Sequence, residues 1–308
     1  MQPASVLLWR LFCSFVPLFS GCYLALFSQF QYTPRYAALQ SRSSIGCENI
    51  PCFVLPYSGR MEDFMDTVQK PKFGLTNNQL KIIAMVSMLC DHVGLLFFPD
   101  VVIFRAIGRI AFPIFAYMIA EGCRYTKNRA KYLGMIAAMA VAFQVVYFVA
   151  MQSLYQGILV TFSLAIITIY SIDGLFGAKK LWGRLLSVLG LAFMLVFVCV
   201  LPLLLTKTDF DIDYGVWGIL LPLVVYFMPS HKWRIGGASA LLLVRAIYYG
   251  VLATPITPVQ WWSLLTLPLL FLYNGERGRA KMKYVFYIFY PAHLVILYGI
   301  AMVVMMLQ

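Results

Sequence analysis

The hydrophobic pattern of this chain is a series of long apolar runs separated by short polar connections. Most runs are about twenty residues long, which is the length that an α-helix needs to cross the hydrocarbon core of a bilayer. The pattern predicts nine spanning helices, at residues 79–98, 103–120, 132–151, 157–172, 185–205, 214–228, 235–253, 259–273 and 284–306.

The composition excludes a soluble globular domain. Hydrophobic residues make up 62% of the chain, charged residues make up 12%, and the mean hydropathy is +0.81. Soluble domains carry far more charge and less apolar surface than this. We therefore predict an all-α fold, a polytopic transmembrane helical bundle of about nine to ten spanning helices embedded in the lipid bilayer.

The formal net charge of +12 is distributed unevenly. Basic residues lie in the connections after the second, fourth, sixth and eighth runs, at Arg124, Lys127, Arg129, Lys131, Lys179, Lys180, Arg184, Lys232, Arg234, Arg277, Arg279, Lys281 and Lys283. The alternate connections carry Asp100, no charge, Lys207 with three aspartates, and no charge, in that order. By the positive-inside rule this predicts a multi-pass protein with a cytoplasmic start to the first core span and an external C-terminus. The charge then reports orientation, and we expect no nucleic-acid partner.

The first seventy residues differ from the rest of the chain. Residues 1–72 are predicted to be an extension, and residues 73–308 the core domain. The extension holds an apolar run at 5–29 followed by a polar stretch. Three interpretations stay open: a tenth span entering from outside, a signal-like segment, or translated upstream sequence that is not part of the working protein. The core is expected to begin at a helix start formed by Thr76-Asn77-Asn78.

Two ionisable residues, Asp91 and His92, lie near the outer end of the first apolar run. An aspartate in hydrocarbon costs roughly 3 kcal/mol, so such a pair indicates a functional site by default. The second run enters from the same side and carries Arg105 and Arg109, one turn apart on a single helix face. The pattern thus places four ionisable groups at one depth.

Two further polar residues interrupt the later runs. Arg245 is isolated midway through the seventh run, so it must face a cavity or a counter-charge, and it is a candidate to line a substrate path. His293 follows Pro291, and a proline kink frees carbonyl groups that can line a cavity. We consider two roles for His293: a position on the substrate path, or only a hydrogen bond to a freed carbonyl.

Metal chemistry is not expected. The seven cysteines form no CxxC pair and no cluster with histidine, which argues against a disulfide framework and against a zinc site.

Several motifs resemble those of one membrane family. IGRIAFPIFAYMIAEGCRYTKNRAKY covers residues 107–132, and YNGERGRAKMKYVFYIFYPAH covers residues 273–293. Two shorter motifs are DHVG at 91–94 and DYGVWG at 213–218. Together, from about Leu80 to the end, they resemble the TraX family, membrane proteins named for the acetylation of conjugative pilin at its N-terminus.

The resemblance implies an acyltransferase of the bacterial inner membrane. TraX-like proteins are distantly similar to membrane acyltransferases such as the heparan-glucosaminide acetyltransferases, which take acetyl groups from cytoplasmic acetyl-CoA and deliver them to acceptors across the membrane. In those relatives a histidine on an early helix near the non-cytoplasmic face is catalytic, and the matching position is His92. The acceptor stays open: a pilin-like N-terminus, an envelope glycan or a small molecule, acetylated on nitrogen or oxygen.

Acetyl transfer needs a base for the acceptor proton and a donor for the developing oxyanion. We assign the first role to His92. We expect Asp91 to pair with Arg105 or Arg109, leaving the other arginine for the oxyanion. The alternative is that all four residues form a structural polar cluster between helices.

The acetyl-CoA phosphates would lie at the cytoplasmic surface. Among the basic groups there, those within the family-like motifs are the candidates, namely Arg124, Asn274, Glu276 and Arg277. Glu121 lies three residues before Arg124, so the two could form an ion pair with each other, and Arg124 would then not be a phosphate ligand. Asp213 opens the DYG motif and is a candidate both for the substrate path and to cap the sixth span. His231 is expected to be solvated.

Two other functions compete with acetyl transfer. A proton-coupled secondary transporter would use Asp91, His92 and Arg245 as a path, and a scaffold for envelope assembly would make the buried charges structural.

Overall fold

The computed structural model describes residues 74–253, 257–278 and 283–307. The predicted extension at 1–72, together with Arg279 and Lys281, lies outside these residues. Within the described ranges every regular element is helical, which confirms the all-α class, and strand-like pairing is limited to two isolated bridges, Leu75 with Tyr273 and Gln156 with Ile212.

The helices follow the predicted apolar runs. They are α1 (Asn77–Phe97), α2 (Val102–Gly108), α3 (Ala111–Tyr125), α4 (Arg129–Met151), α5 (Ile158–Gly177), α6 (Leu181–Leu195), α7 (Gly215–Phe227), α8 (His231–Ile247), α9 (Thr266–Phe271) and α10 (Lys283–Leu307). Helix α6 continues through a π-helical segment, Val196–Val200, to Leu201–Leu204, and α8 continues through Tyr248–Leu252. A 3₁₀-helix, Pro258–Leu265, leads into α9, so the eighth predicted span is not one regular α-helix.

Six helical stretches in the described part are long and apolar enough to cross a membrane. They are Asn77–Phe97, Val102–Tyr125, Arg129–Met151, Ile158–Gly177, Leu181–Leu204 and His231–Leu252. Two shorter apolar helices, Gly215–Phe227 and Ile288–Val304, accompany them. By length and composition the described part is therefore a polytopic membrane bundle with six helices long enough to span, and the predicted count of nine to ten spans is not confirmed.

Local sequence explains where the first helices begin. The predicted start of α1 is confirmed, because Thr76 is its N-cap and forms a capping box with Gln79. Asn128 caps α4 through its side chain, which accepts a hydrogen bond from the Lys131 amide.

Helix α3 lies at the centre of the bundle. It packs against α1, α5, α7 and α9, and Ile114, Ala116 and Tyr117 on it are fully buried. By contrast, α4 and α6 are strongly apolar, yet few of their residues are buried inside the bundle. Helices of this kind are hydrophobic where they face lipid, so we take α4 and α6 as the membrane-facing edge of the bundle.

The two ends of the bundle differ in charge. One, here called the basic end, holds the connections 126–128, 178–180 and 228–230 and the segment 272–278. The other, here called the acidic end, holds the connections 98–101, 152–157 and 205–214. The candidate site lies toward the acidic end.

Candidate functional site

The short turn between α1 and α2 brings Asp91 against the two arginines. Arg105 Nη1 lies 2.9 Å from Asp91 Oδ2, and Arg109 Nη2 lies 4.0 Å from Asp91 Oδ1. The expected ion pair is therefore present with Arg105, and Arg109 faces the second carboxylate oxygen at longer range. Within the described structure, Arg109 Nε is buried and has no hydrogen-bond partner.

A glycine makes this approach of two helices feasible. A Cβ atom on Gly108 would overlap the side chain of Asp91. Gly108 therefore allows α2 to lie directly on the face of α1 that carries Asp91.

His92 is held by its own helix and not by Asp91. Its Nδ1 lies 2.8 Å from the Met88 carbonyl oxygen. A carbonyl can only accept a hydrogen bond, so Nδ1 donates, and the neutral ring carries its lone pair on Nε2. This is the tautomer that a general base needs when the reacting proton approaches Nε2.

His293 repeats the same arrangement beside it. Its Nδ1 lies 2.8 Å from the Phe289 carbonyl oxygen, and its buried Nε2 has no partner among the described residues. The rings of His92 and His293 meet edge to face with centroids 5.1 Å apart. The two histidines that the sequence offered as separate candidates are thus direct neighbours.

A cavity of about 430 Å³ opens beside these groups. Its polar wall consists of Asp91, His92, Arg105, Arg109, Tyr155 and Asp213. Its apolar and aromatic wall includes Met88, Leu95, Phe112, Phe115, Phe143, Tyr147, Tyr214, Tyr290, Leu294 and Tyr298. A pocket with a few convergent polar groups and a large apolar wall is the usual form of a small-molecule site.

Asp213 enters the cavity from the connection before α7. Tyr155 Oη donates a hydrogen bond of 3.0 Å to Asp213 Oδ1, and Thr161 Oγ1 donates one of 2.7 Å to the Asp213 carbonyl. The expectation that Asp213 caps the sixth span is wrong: Tyr214 is the N-cap of α7, and no side chain caps this helix. The carboxyl is turned to Tyr155 instead, and burial raises its pKa to about 6.

The backbone around Tyr214 is unusual. Tyr214 and Gly215 both have positive φ, at 59° and 48°. A non-glycine residue rarely adopts this conformation, and it is held here because the Tyr214 ring stacks on Phe112 with centroids 3.8 Å apart. The DYG motif therefore shapes one corner of the cavity.

Arg245 lies behind this corner and does not line the cavity. Its guanidinium is buried and lies over the rings of Phe112, Tyr214 and Tyr249, at 5.6, 5.0 and 5.3 Å from their centroids. The two rings Phe112 and Tyr214 do line the cavity. Arg245 thus supports the wall through cation–π contacts.

At the basic end, the predicted pairing of Glu121 with Arg124 is wrong. Glu121 forms a buried ion pair of 2.8 Å with Arg234, and Tyr273 Oη donates to its second oxygen. The Arg124 guanidinium instead donates to the carbonyls that end α7, those of Val225, Tyr226 and Met228. These carbonyls lack helical partners, so Arg124 acts as a C-terminal cap.

His231 is not solvated, contrary to expectation. Its Nδ1 lies 3.1 Å from Tyr117 Oη, and its Nε2 is buried. It belongs to the polar cluster around Glu121 and lies outside the cavity.

The remaining cofactor candidates lie in the segment after α9. Asn274 is buried, and its side chain accepts from the Glu276 amide, while Glu276 and Arg277 are exposed. The Glu276 carbonyl accepts from the Asn77 amide, which ties this segment to the start of α1. The structure thus separates these residues and Arg124 from the cavity that gathers Asp91, His92, Arg105, Arg109 and Asp213.

Sequence reasoning missed several cavity residues. Tyr155 lies in an uncharged connection that carries no signal, and Tyr290 reads as one more apolar residue of the last span. Phe112 and Tyr214 lie inside the quoted motifs and line the cavity. Their aromatic side chains could not be told apart from the other apolar residues of the spans.

Comparisons with known proteins give one family match and two relatives. The family model described as TraX protein matches residues 76–301. The probable fimbrial assembly protein FimC, serogroup H1, of Dichelobacter nodosus is 27% identical over 241 residues, which cover 71% of this chain and 93% of that protein. An uncharacterised protein of Rickettsia prowazekii (strain Madrid E) is 48% identical over 44 residues, covering 14% of this chain and 18% of that protein. No solved structure gives a significant match. Because the family match covers residues 76–301, well over half of the sequence, this chain belongs to the TraX protein family.

Proposed function

We propose that this protein is an integral membrane acetyltransferase that moves an acetyl group from acetyl-CoA to an acceptor at or beyond the membrane. The observation that carries the proposal is the geometry of His92. Its Nδ1 is committed to the Met88 carbonyl, and its ring lines a cavity that also presents arginine N–H groups. A base and an anion-binding donor on one cavity are what acyl transfer requires.

In the proposed step the acetyl group passes from the sulfur of CoA to the acceptor. The acceptor amine or hydroxyl attacks the thioester carbonyl carbon, a new C–N or C–O bond forms, and the C–S bond breaks. The acceptor proton passes to His92 Nε2 and then to the thiolate, which leaves as the free thiol of CoA. His92 returns to its neutral form, so no external acid is consumed.

Arg109 suits the oxyanion. Arg105 is occupied by Asp91 at 2.9 Å, whereas Arg109 Nε is buried and unpartnered among the described residues. A preorganised cation whose Nε–H is not hydrogen-bonded in the ground state can donate to the oxygen that becomes negative during attack. Asp91 would then hold Arg105 and, at longer range, orient Arg109.

The proposed acceptor is a pilin-like N-terminus. The relative from Dichelobacter nodosus is named as a probable fimbrial assembly protein, and the family is TraX. An N-terminal amine of a membrane-borne subunit could reach a cavity near one membrane surface. Envelope glycans and small hydroxyl acceptors would undergo the same chemistry, and thiol release in response to a peptide with a free α-amino group would favour the pilin-like acceptor over them.

The transporter hypothesis gains less from this geometry. It needs Asp91, His92 and Arg245 along one path, yet Arg245 lies behind Phe112 and Tyr214 and Asp91 is engaged by Arg105. The first experiment below separates the two functions, since a proton-coupled transporter has no need of acetyl-CoA.

The purified protein in detergent should bind radiolabelled acetyl-CoA with a dissociation constant in about the micromolar range. Membranes that contain it should also release CoA thiol when a short peptide with a free α-amino group is added. The absence of both binding and thiol release would remove the enzyme proposal and leave transport or scaffolding.

The same assay tests the donor site. Arg277→Ala should weaken acetyl-CoA binding and reduce its salt dependence, because an exposed arginine contacts phosphates electrostatically. Lys127→Ala removes an exposed charge from the same end and serves as the matched control. A short acetyl thioester without the nucleotide should bind both variants like the wild type.

We also propose that the basic end faces the cytoplasm of a bacterial cell and that acetyl-CoA enters there. Reporter fusions after Asn128 and after Gly278 should then report the cytoplasm. Fusions after Asp211 and after Gln308 should report the outside. Opposite signals at any two of these positions would overturn the orientation.

A further inference from the structure

Asp213 differs from the other carboxylates that point into the described bundle, because no arginine or lysine side chain described there forms an ion pair with it. Asp91, Glu121 and Asp173 each lie within 4.0 Å of an arginine nitrogen, those of Arg105, Arg234 and Arg129. No lysine or arginine of the described residues forms such an ion pair with Asp213. Arg109 and Arg245 influence it only at longer range.

The carboxyl is nevertheless held firmly in place. Tyr155 donates to Oδ1, and Thr161 fixes the main chain of the same residue. The Asp213 amide donates to the Gln156 carbonyl at 2.9 Å, and the Gln156 amide donates to the Asp211 carbonyl at 2.7 Å. Two connections of the acidic end are thus clamped together so that Asp213 and Tyr155 face the cavity side by side.

A fixed carboxylate without a counter-charge is costly next to an apolar wall. One neutral hydrogen bond compensates only part of the desolvation of a charged group. A cationic ligand group in the cavity would supply the missing partner. The cavity is polar on this side, and its volume of about 430 Å³ leaves room for a small cationic group of the acceptor beside an acetyl thioester.

We propose that Asp213, oriented by Tyr155, binds the ammonium group of the acceptor and takes its first proton. The inference rests on the proposed function and assigns a residue to a step that His92 alone leaves open. An ammonium has no lone pair, so it must lose one proton before it can attack the thioester and a second proton during attack.

The two protons then have separate acceptors. The first passes from the ammonium to the Asp213 carboxylate, and the neutral amine attacks the acetyl carbon. His92 Nε2 takes the second proton and returns it to the departing thiolate, while Asp213 releases the first to solvent. The raised pKa of Asp213 supports this division. An α-ammonium has a pKa of about 8, and a carboxylate whose pKa lies closer to that value takes its proton at a smaller free-energy cost than an ordinary aspartate would.

The test compares two acceptors that differ by one oxygen atom. One is a short peptide with a free α-amino group, and the other is its analogue with an aminooxy group, which is uncharged at pH 7. Asp213→Asn should reduce transfer to the amino peptide by about 10²-fold or more, since general acid–base catalysis contributes about 10²–10⁴-fold. Transfer to the aminooxy peptide should stay close to the wild-type rate.

Asp100→Asn removes an exposed carboxylate from the same end of the bundle and is the matched control. Thermal stability and acetyl-CoA binding of Asp213→Asn should equal those of the wild type, because the asparagine carbonyl still accepts from Tyr155. Equal losses with both acceptors would make Asp213 a structural residue and overturn the inference while the proposed function stands. Failure of the wild type to acetylate either peptide would instead overturn transfer to an amine itself, and the inference with it.

Discussion

Replacing His92 with glutamine should reduce acetyl transfer by about 10²–10⁴-fold, the usual contribution of a general base. Glutamine can keep the hydrogen bond to the Met88 carbonyl through its amide, but it has no basic nitrogen that could take the proton of the attacking amine or hydroxyl. Insertion, folded yield and acetyl-CoA binding should therefore persist. The measurement is thiol release by purified variants at matched protein concentration.

The matched control is His231→Gln. His231 is the other described histidine outside the His92–His293 pair, and it contacts Tyr117 at the basic end, away from the cavity. It should retain transfer. If His92→Gln loses stability but the folded fraction keeps its specific activity, His92 is structural. His293 would then be the better candidate for the base, because it has the same tautomer and a free Nε2.

The helices could be predicted because their signal is local. Each predicted span coincides with a helical stretch, and a run of apolar residues is sufficient to specify it. The pair of Asp91 with Arg105 was also predictable, since a short turn joins the two helices that carry them. The eighth span was harder, because its residues form a 3₁₀-helix and one short α-helix that apolar periodicity alone does not distinguish.

The contacts that build the rest of the site join residues far apart in the sequence. His92 meets His293 across the pairing of the first and last core helices, and Tyr155 meets Asp213 because two connections are clamped by backbone bonds. Nothing in the local pattern fixes such pairings. The error over Glu121 has the same origin, because a helical neighbour three residues away, Arg124, was the obvious partner by spacing alone.

The largest expected loss of stability comes from breaking the buried ion pair of Glu121 with Arg234, which was predicted wrongly from the sequence. Glu121→Gln should destabilise the protein by about 3–5 kcal/mol, because it leaves the Arg234 charge buried without its carboxylate. The side chains of Arg234 and Glu121 are only 9% and 5% exposed. The measurement is reversible unfolding in detergent, or thermal inactivation if unfolding is irreversible.

Asp173→Asn is the matched control for this loss. It breaks the 2.6 Å ion pair with Arg129. The side chains of Arg129 and Asp173 are 38% and 22% exposed, so water can solvate the remaining charge. We expect a cost of about 1 kcal/mol or less. The double variant Glu121→Gln with Arg234→Gln should recover much of the loss, because it removes both charges and leaves neither uncompensated. If Asp173→Asn cost as much as Glu121→Gln, burial would not be setting the strength of these pairs. The buried pair of Glu121 with Arg234 would then contribute no more to the stability of the fold than an exposed ion pair.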